Sequence, residues 1–223
     1  MPSVRTLLVL VSCVLLAGCS SGGSRESGQT PSPKDASTSA PSSLAPPASV
    51  DPCDLLTDLQ VEKLAGGSVG AARPGLTGGV ANCQWAAAEG SFVQAIGAPS
   101  SAWAESLPEN LRAIEASGQF TDSANMRKLR KAAELVEGGQ DPSPVQACSL
   151  FSDLLELQGQ PRGTHRIVTV IPTRAAPQGV TGQWCSRGRF TSVLVGNQKG
   201  LEKPLPVQMV AHALNSAHRR NLG

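Results

Sequence analysis

The stretch Asp51-Pro52-Cys53-Asp54-Leu55-Leu56 decides how the folded part of this chain begins. Aspartate is a favoured helix N-cap and proline is favoured at the first helical position, so the stretch predicts the start of a helix. The segment from Cys53, Cys-Asp-Leu-Leu-Thr-Asp-Leu, returns from Cys148 as Cys-Ser-Leu-Phe-Ser-Asp-Leu. We therefore predict two half-repeats, each a cysteine-bearing helix followed by a β-hairpin. Chance recurrence of a short apolar pattern is the alternative.

The rest of the domain can be assigned from apolar spacing and turn residues. Asp141-Pro142 repeats the predicted helix start of the first half, and Gly66-Gly67 is expected to end the first helix. Helical periodicity and short apolar runs place the other elements: helices over 103–114 with a break near Pro108, 123–136 and 207–218, and strands over 82–85, 92–96, 166–171 and 190–195. Helices and hairpins without regular β-α alternation indicate an α+β fold, an antiparallel sheet packed with helices and stapled by disulfides, in one domain over 51–223.

The first 18 residues have the composition of a cleaved signal peptide. Arg5 gives a positive start, and the run from Leu7 to Leu16 is almost wholly apolar. Such a run is too short to span a bilayer, which needs about 20 residues, but it suffices for the apolar part of a signal peptide. Leu16-Ala17-Gly18-Cys19 resembles a bacterial lipobox, which implies cleavage before Cys19 and attachment of lipid to its thiol. A plain secretory signal is the alternative.

Residues 19–50 join the predicted lipidated cysteine to the domain. Ser20 to Val50 consists mostly of serine, glycine, proline, alanine and threonine with a few charges. Such a segment buries too little apolar surface to offset its chain entropy, so we predict a disordered linker whose ends lie about 30 Å apart. The expected location is the extracytoplasmic face of the cell membrane, with the linker holding the domain off the bilayer.

The opening motif also resembles a known group of proteins. Asp51-Pro52-Cys53-Asp54-Leu55-Leu56-Thr57, followed by Gly66-Gly67 and then by Cys83-x-Trp85, is similar to the start of a domain of unknown function in actinobacterial lipoproteins. The resemblance implies a lipobox, a serine- and proline-rich linker and a single domain. Because that family has no agreed activity, the resemblance implies no catalytic or binding residue for this chain.

Four cysteines remain in the predicted domain: Cys53, Cys83, Cys148 and Cys185. An even number of cysteines in an exported chain indicates two disulfides. Of the three possible pairings, the half-repeats favour Cys53–Cys83 and Cys148–Cys185, each joining a helix start to a hairpin strand. A metal site is the competing interpretation, but the sequence has no Cys-x-x-Cys and its histidines are dispersed. We predict no metal and no cofactor.

The histidines and acidic residues give no catalytic pattern. The sequence contains no His-Glu-x-x-His. His165 is expected to be exposed at a strand start, whereas His212 and His218 lie on one predicted helix and face different directions. Asp153 and Glu156 are expected on an exposed helix face rather than as an acid and base pair. We therefore predict that the protein is not an enzyme.

The three tryptophans are expected to have different roles. Trp85 and Trp184 stand beside cysteines and are predicted to pack in the core over the disulfides. Trp103 lies near a proline-broken segment and is a candidate for lining a groove.

Positive charge is concentrated in one run, Arg127, Lys128, Arg130 and Lys131, on the predicted helix 123–136. The simple interpretation is that these residues form the solvated side of that helix. The functional interpretation is a patch that binds anionic lipid headgroups or wall polymers, which suits a tethered domain. The net charge of +2 gives no general attraction to nucleic acid, so none is predicted as a partner.

These features together predict a non-enzymatic binding or interaction module of the cell envelope. Its expected partners are the membrane, through the lipid anchor, and a cell-wall polymer, a lipid or another envelope protein. The alternative is a carrier of lipid or another small ligand, which requires an internal hydrophobic cavity of several hundred cubic ångströms.

Overall fold

The computed structural model describes residues 50–116, 123–197, 200–201 and 204–223. Within these ranges six strands form one antiparallel sheet with the order β1-β2-β3-β6-β5-β4. The strands are β1 (Arg73–Thr77), β2 (Val80–Ala86), β3 (Ser91–Pro99), β4 (Arg166–Pro172), β5 (Pro177–Ser186) and β6 (Arg189–Asn197). The four predicted strands lie within β2, β3, β4 and β6, and the predicted hairpin strand that carries Cys185 lies within β5, whereas β1 was not predicted. The predicted α+β fold is confirmed.

Six α-helices accompany the sheet in the described ranges. They are α1 (Asp58–Ala65), α2 (Ser100–Glu105), α3 (Leu107–Ala116), α4 (Ala124–Glu137), α5 (Pro144–Leu157) and α6 (Val207–Asn221). The predicted helix over 103–114 is divided into α2 and α3, and the division falls at Ser106, two residues before Pro108. The predictions over 123–136 and 207–218 correspond to α4 and α6.

The two predicted helix starts were wrong in detail, and the capping residues explain why. Pro52–Asp54 form only a short 3-10 turn, capped by the Asp51 carboxylate, and α1 begins after Thr57, whose side chain forms a capping box with Gln60. Likewise α5 begins at Pro144 rather than Pro142, because Ser143 forms a capping box with Gln146. A capping box satisfies two backbone N–H groups at once, which a single aspartate does not.

The helices cover both faces of the sheet, and each face has its own apolar core. We call the side that carries α2, α3, α4 and α5 the α5 face, and the side that carries α1 and α6 the α6 face. Neighbouring residues of a strand point to opposite faces, so β3 contributes Ile96 and Ala98 to the α5 face but Val93 and Ala95 to the α6 face. Most of the sheet is therefore covered on both sides by apolar side chains of these helices, whereas the edge strand β1 is largely exposed.

Both disulfides have the predicted pairing, Cys53–Cys83 and Cys148–Cys185. Each joins a helical segment to the middle strand of a three-stranded meander, and the two meanders meet where β3 pairs with β6. The strand order of one half therefore mirrors that of the other. The halves differ in orientation, because Cys83 points into the α6 face and Cys185 into the α5 face.

The two faces of the sheet explain where the tryptophan side chains lie. Trp85 is buried in the α6 face, two residues from Cys83 and on the same side of β2, as predicted. Trp184 was wrongly predicted to cover the second disulfide. It precedes Cys185 directly, so its side chain points to the opposite face, where it is half-buried and stacks on His218 with ring centroids 4.3 Å apart. Trp103 packs in the core against Phe151 and Phe190.

Two hairpin turns provide a matched test of backbone packing. Gly79 and Gly188 each occupy the second position of a two-residue turn, with φ of 79° and 73°. A Cβ atom on Gly79 would meet nothing within 4 Å, whereas on Gly188 it would lie 2.7 Å from Pro144 Cβ at the start of α5. We expect Gly79→Ala to cost about 1 kcal/mol from backbone conformation.

Gly188→Ala is expected to cost about 1–2 kcal/mol more than Gly79→Ala, because the methyl group also overpacks the contact with α5. Urea unfolding of both variants measures the difference. Equal losses of unfolding free energy would show that the turn is not held against α5.

Candidate functional site

A groove between α4 and α5 lies beside the predicted basic run. Its volume is about 440 Å³, and it is open to solvent. Residues of α4, of the connecting loop and of α5 line it: Lys128, Lys131, Ala132, Leu135, Gln140, Asp141, Pro142, Gln146, Ser149 and Leu150.

The helical period of α4 explains how apolar side chains come to line an open groove. Met126, Leu129 and Ala133 form one stripe and are buried in the α5 face. Leu135 lies away from that stripe, and 43% of it is exposed at the groove. Val145 of α5 precedes the groove residue Gln146 in the sequence and is 72% exposed, but it does not line the groove itself. Apolar surface is thus presented to solvent on both helices.

The predicted basic run lies on the exposed side of α4, but it does not form one uninterrupted patch. Arg130 donates a hydrogen bond from Nε to Glu115 Oε1 of α3 at 2.6 Å. Lys128 forms an ion pair with Asp153 of α5. Two of the four cations therefore link α4 to its neighbouring helices. Arg127 and Lys131 are exposed, and only Lys128 and Lys131 line the groove.

Asp153 and Glu156 were wrongly predicted to lie on an exposed helix face. Both are half-buried where α5 packs against α4. Glu156 accepts hydrogen bonds from Asn125 Nδ2 at 2.8 Å and from the backbone N–H of Gly163 at 3.1 Å. These donors stabilise the ionised carboxylate and lower the pKa of Glu156. Asp153 and Glu156 therefore link α5 to α4, and Glu156 also links it to the loop at Gly163.

Sequence reasoning missed the most buried titratable group of the described chain, His218. It is 1% exposed, and both ring nitrogens are within hydrogen-bond distance of hydroxyl groups, Ser186 Oγ at 2.7 Å and Thr191 Oγ1 at 2.8 Å. Burial, and to a lesser degree the Arg187 cation, lower the pKa of His218 from 6.5 to about 4. Only its place near the end of a helix could be predicted, because both hydroxyl partners lie on strands that are distant in the sequence.

The hydrogen bonds around His218 extend to Asn221, at the end of the same helix. Asn221 Nδ2 donates to the Phe190 carbonyl at 2.8 Å, which fixes the amide, and also to Thr191 Oγ1 at 2.9 Å. Thr191 thus links His218 to Asn221, so Ser186, His218, Thr191 and Asn221 form one connected chain of hydrogen bonds. Both ring nitrogens of His218 are paired with hydroxyl groups within this chain.

Gly66-Gly67-Ser68-Val69-Gly70 has the Gly-x-Ser-x-Gly spacing of a nucleophile elbow. That elbow joins a strand to a following helix. Here the segment follows the end of α1, where Gly66 has a φ of 75°, and Ser68 is exposed. The spacing therefore reflects a helix end and its loop.

Two further pockets are described. A surface groove of about 890 Å³ lies between the end of α1 and the start of α6. Its lining adjoins residues 198–199 and 202–203, which are outside the described ranges. A pocket of about 40 Å³ reaches the aromatic core around Trp103, Phe151 and Phe190.

The remaining predicted sites can be stated briefly. Cys19, the signal peptide and nearly all of the linker lie outside the described residues. His165 and His212 are exposed. Among the described residues, no group of three or more histidine, cysteine or acidic side chains is placed to hold a metal ion. In the same ranges no helix has both the length and the apolar character needed to cross a membrane.

Comparison with known proteins gives one result. The profile of a family described as protein of unknown function (DUF3558) matches residues 14–153, which include the first disulfide and both helices of the groove as far as Asp153. No curated protein and no solved structure matches the chain significantly. Because the matched region is more than half of the chain, the protein belongs to the DUF3558 family of proteins of unknown function.

Proposed function

We propose that this protein is an exported lipoprotein of an actinobacterial envelope, anchored through lipid on Cys19, and that its domain is a non-enzymatic binding module. The signal-like run and lipobox-like Leu16-Ala17-Gly18-Cys19 support the address. Two disulfides inside the domain also support it, because disulfides persist in oxidising compartments outside the cytoplasm.

The observation that carries the binding role is the groove between α4 and α5. Exposed apolar surface beside a concave site marks places where proteins bind other molecules. Leu135 provides exposed apolar surface in the groove, and Lys131, one helical turn before it, adds a positive charge. The hydrogen bonds of buried His218 to Ser186 and Thr191 support a role without catalysis, because these three side chains are already paired with one another.

The carrier alternative has less support. The pocket that reaches the aromatic core measures about 40 Å³, which accommodates a water molecule or two rather than a lipid chain. The described pockets of several hundred cubic ångströms are open grooves.

Sedimentation with isolated envelope tests the proposed function. The full chain carrying Cys19→Ser is mixed with envelope fragments, so that binding does not depend on the lipid. We expect Leu135→Glu to reduce the bound fraction at least fivefold, because a charge replaces the apolar contact. Leu59→Glu is the matched control, since Leu59 is 59% exposed on α1, and it should bind like the parent protein.

Thermal unfolding of both variants verifies that the fold is retained. Equal envelope binding by Leu135→Glu, Leu59→Glu and the parent chain would exclude the groove as the binding surface.

A further inference from the structure

We propose that the groove between α4 and α5 binds a single-chain anionic amphiphile, with its acidic head at the lysine end and its alkyl chain along the apolar lining. This inference rests on the proposed function and specifies the ligand class of the same groove. Volume, lining and the distribution of charge along the groove each contribute to it.

The size and lining of the groove suit one alkyl chain. A volume of about 440 Å³ lies within the range of about 300–1,000 Å³ that small-molecule sites occupy. Four of the lining residues are apolar and run from one helix to the other through the loop: Ala132, Leu135, Pro142 and Leu150. Each methylene group that becomes fully buried improves affinity by about fourfold.

Charge gives the ligand its sign and direction. Lys128 and Lys131 line the groove from α4, and Lys128 is paired with Asp153 of α5, on the side away from the loop that connects the two helices. Lys131 is exposed and forms no ion pair among the described contacts. Asp141 lines the groove from the connecting loop, next to Pro142 in the sequence. A negatively charged head is therefore attracted to Lys131 and repelled from the loop end, which directs the alkyl chain toward Leu135 and Pro142.

Isothermal titration with defined probes tests this inference. The full chain carrying Cys19→Ser is titrated with dodecyl phosphate below its micelle concentration, and with decyl phosphate, dodecyltrimethylammonium and inorganic phosphate. We expect saturable binding of dodecyl phosphate at one site. Decyl phosphate should bind up to about 15-fold more weakly, because two methylenes are lost. The cationic amphiphile and inorganic phosphate should bind at least tenfold more weakly.

Two pairs of variants locate the binding. Lys131→Glu and Leu135→Glu should each weaken dodecyl phosphate binding at least tenfold, while Lys63→Glu and Leu59→Glu on α1 should leave it unchanged. Equal affinity for the cationic amphiphile, or equal effects of the α1 variants, would overturn the inference. So would tight binding of inorganic phosphate alone, which would make this an anion site without a chain. Loss of envelope binding by Leu135→Glu without any amphiphile binding would refute this ligand class and leave the proposed function standing.

Discussion

Replacing Cys148 and Cys185 together by alanine is expected to lower the free energy of unfolding by about 4 kcal/mol. The disulfide joins residues separated by 37 positions, and closing a loop of that length restricts the unfolded chain. Both sulfur atoms lie in the core of the α5 face, where the bond connects α5 to the middle strand β5. The loss therefore acts on the helix that forms one wall of the groove.

Equilibrium unfolding in urea without reductant measures this effect. The control is the alanine pair at Cys53 and Cys83, whose separation of 30 positions predicts a similar loss of about 3.7 kcal/mol on the opposite face. Removing both bonds should cost about 7–8 kcal/mol, which is comparable to the whole stability of many domains. A loss below about 1 kcal/mol for either pair would contradict the view that the disulfides stabilise this fold.

The second large effect is a dependence of stability on pH between 6.5 and 4, due to His218. The pKa of His218 falls from 6.5 to about 4 because the ring is buried with hydroxyl partners. As the pH falls below 6.5 the unfolded chain takes up a proton that the folded chain does not. The contribution of neutral His218 to the free energy of unfolding is therefore fully present above pH 6.5 and is lost, by about 3 kcal/mol, as the pH falls to 4. Below pH 4 the stability no longer depends on this group.

Unfolding free energies measured at intervals from pH 7 to 5 test this prediction, since carboxylates stay largely ionised there. His212→Asn is the control on the same helix: His212 is exposed, so this variant should keep the full slope. His218→Asn should lose stability at pH 7 and show a flatter curve. NMR titration of the histidine rings provides an independent readout, and a midpoint near 6.5 for His218 would contradict its buried, neutral state.

Local signals explain which parts of the fold could be predicted. Ser123 caps α4 and Gly66 ends α1, and such effects depend on residues within one turn. The cysteine pairing followed from the similarity of the halves. The face of the sheet to which each cysteine points did not follow from that similarity. Trp85 lies two positions from Cys83, whereas Trp184 lies one position from Cys185, and a shift of one position along a strand moves a side chain to the opposite face.

The candidate site, like the fold, could be predicted from the sequence only in part. The basic run was visible in the sequence, and so was the helix that carries it. The ion pairs of Lys128 and Arg130 were not visible, because Asp153 and Glu115 come from two other helices. The groove depends on how α4 and α5 pack against each other, and periodicity within each helix contains no information about that distance. His218 was missed for the same reason.

Photo-crosslinking in living cells shows whether the groove between α4 and α5 is the binding surface. Benzoylphenylalanine is placed at position 135 in the full chain and, as a control, at position 59, where the leucine is similarly exposed. We expect an adduct with a defined envelope molecule from position 135 that is absent from position 59 and is reduced by Lys131→Glu. The same adducts from both positions, or none from position 135, would show that the groove is not the binding surface.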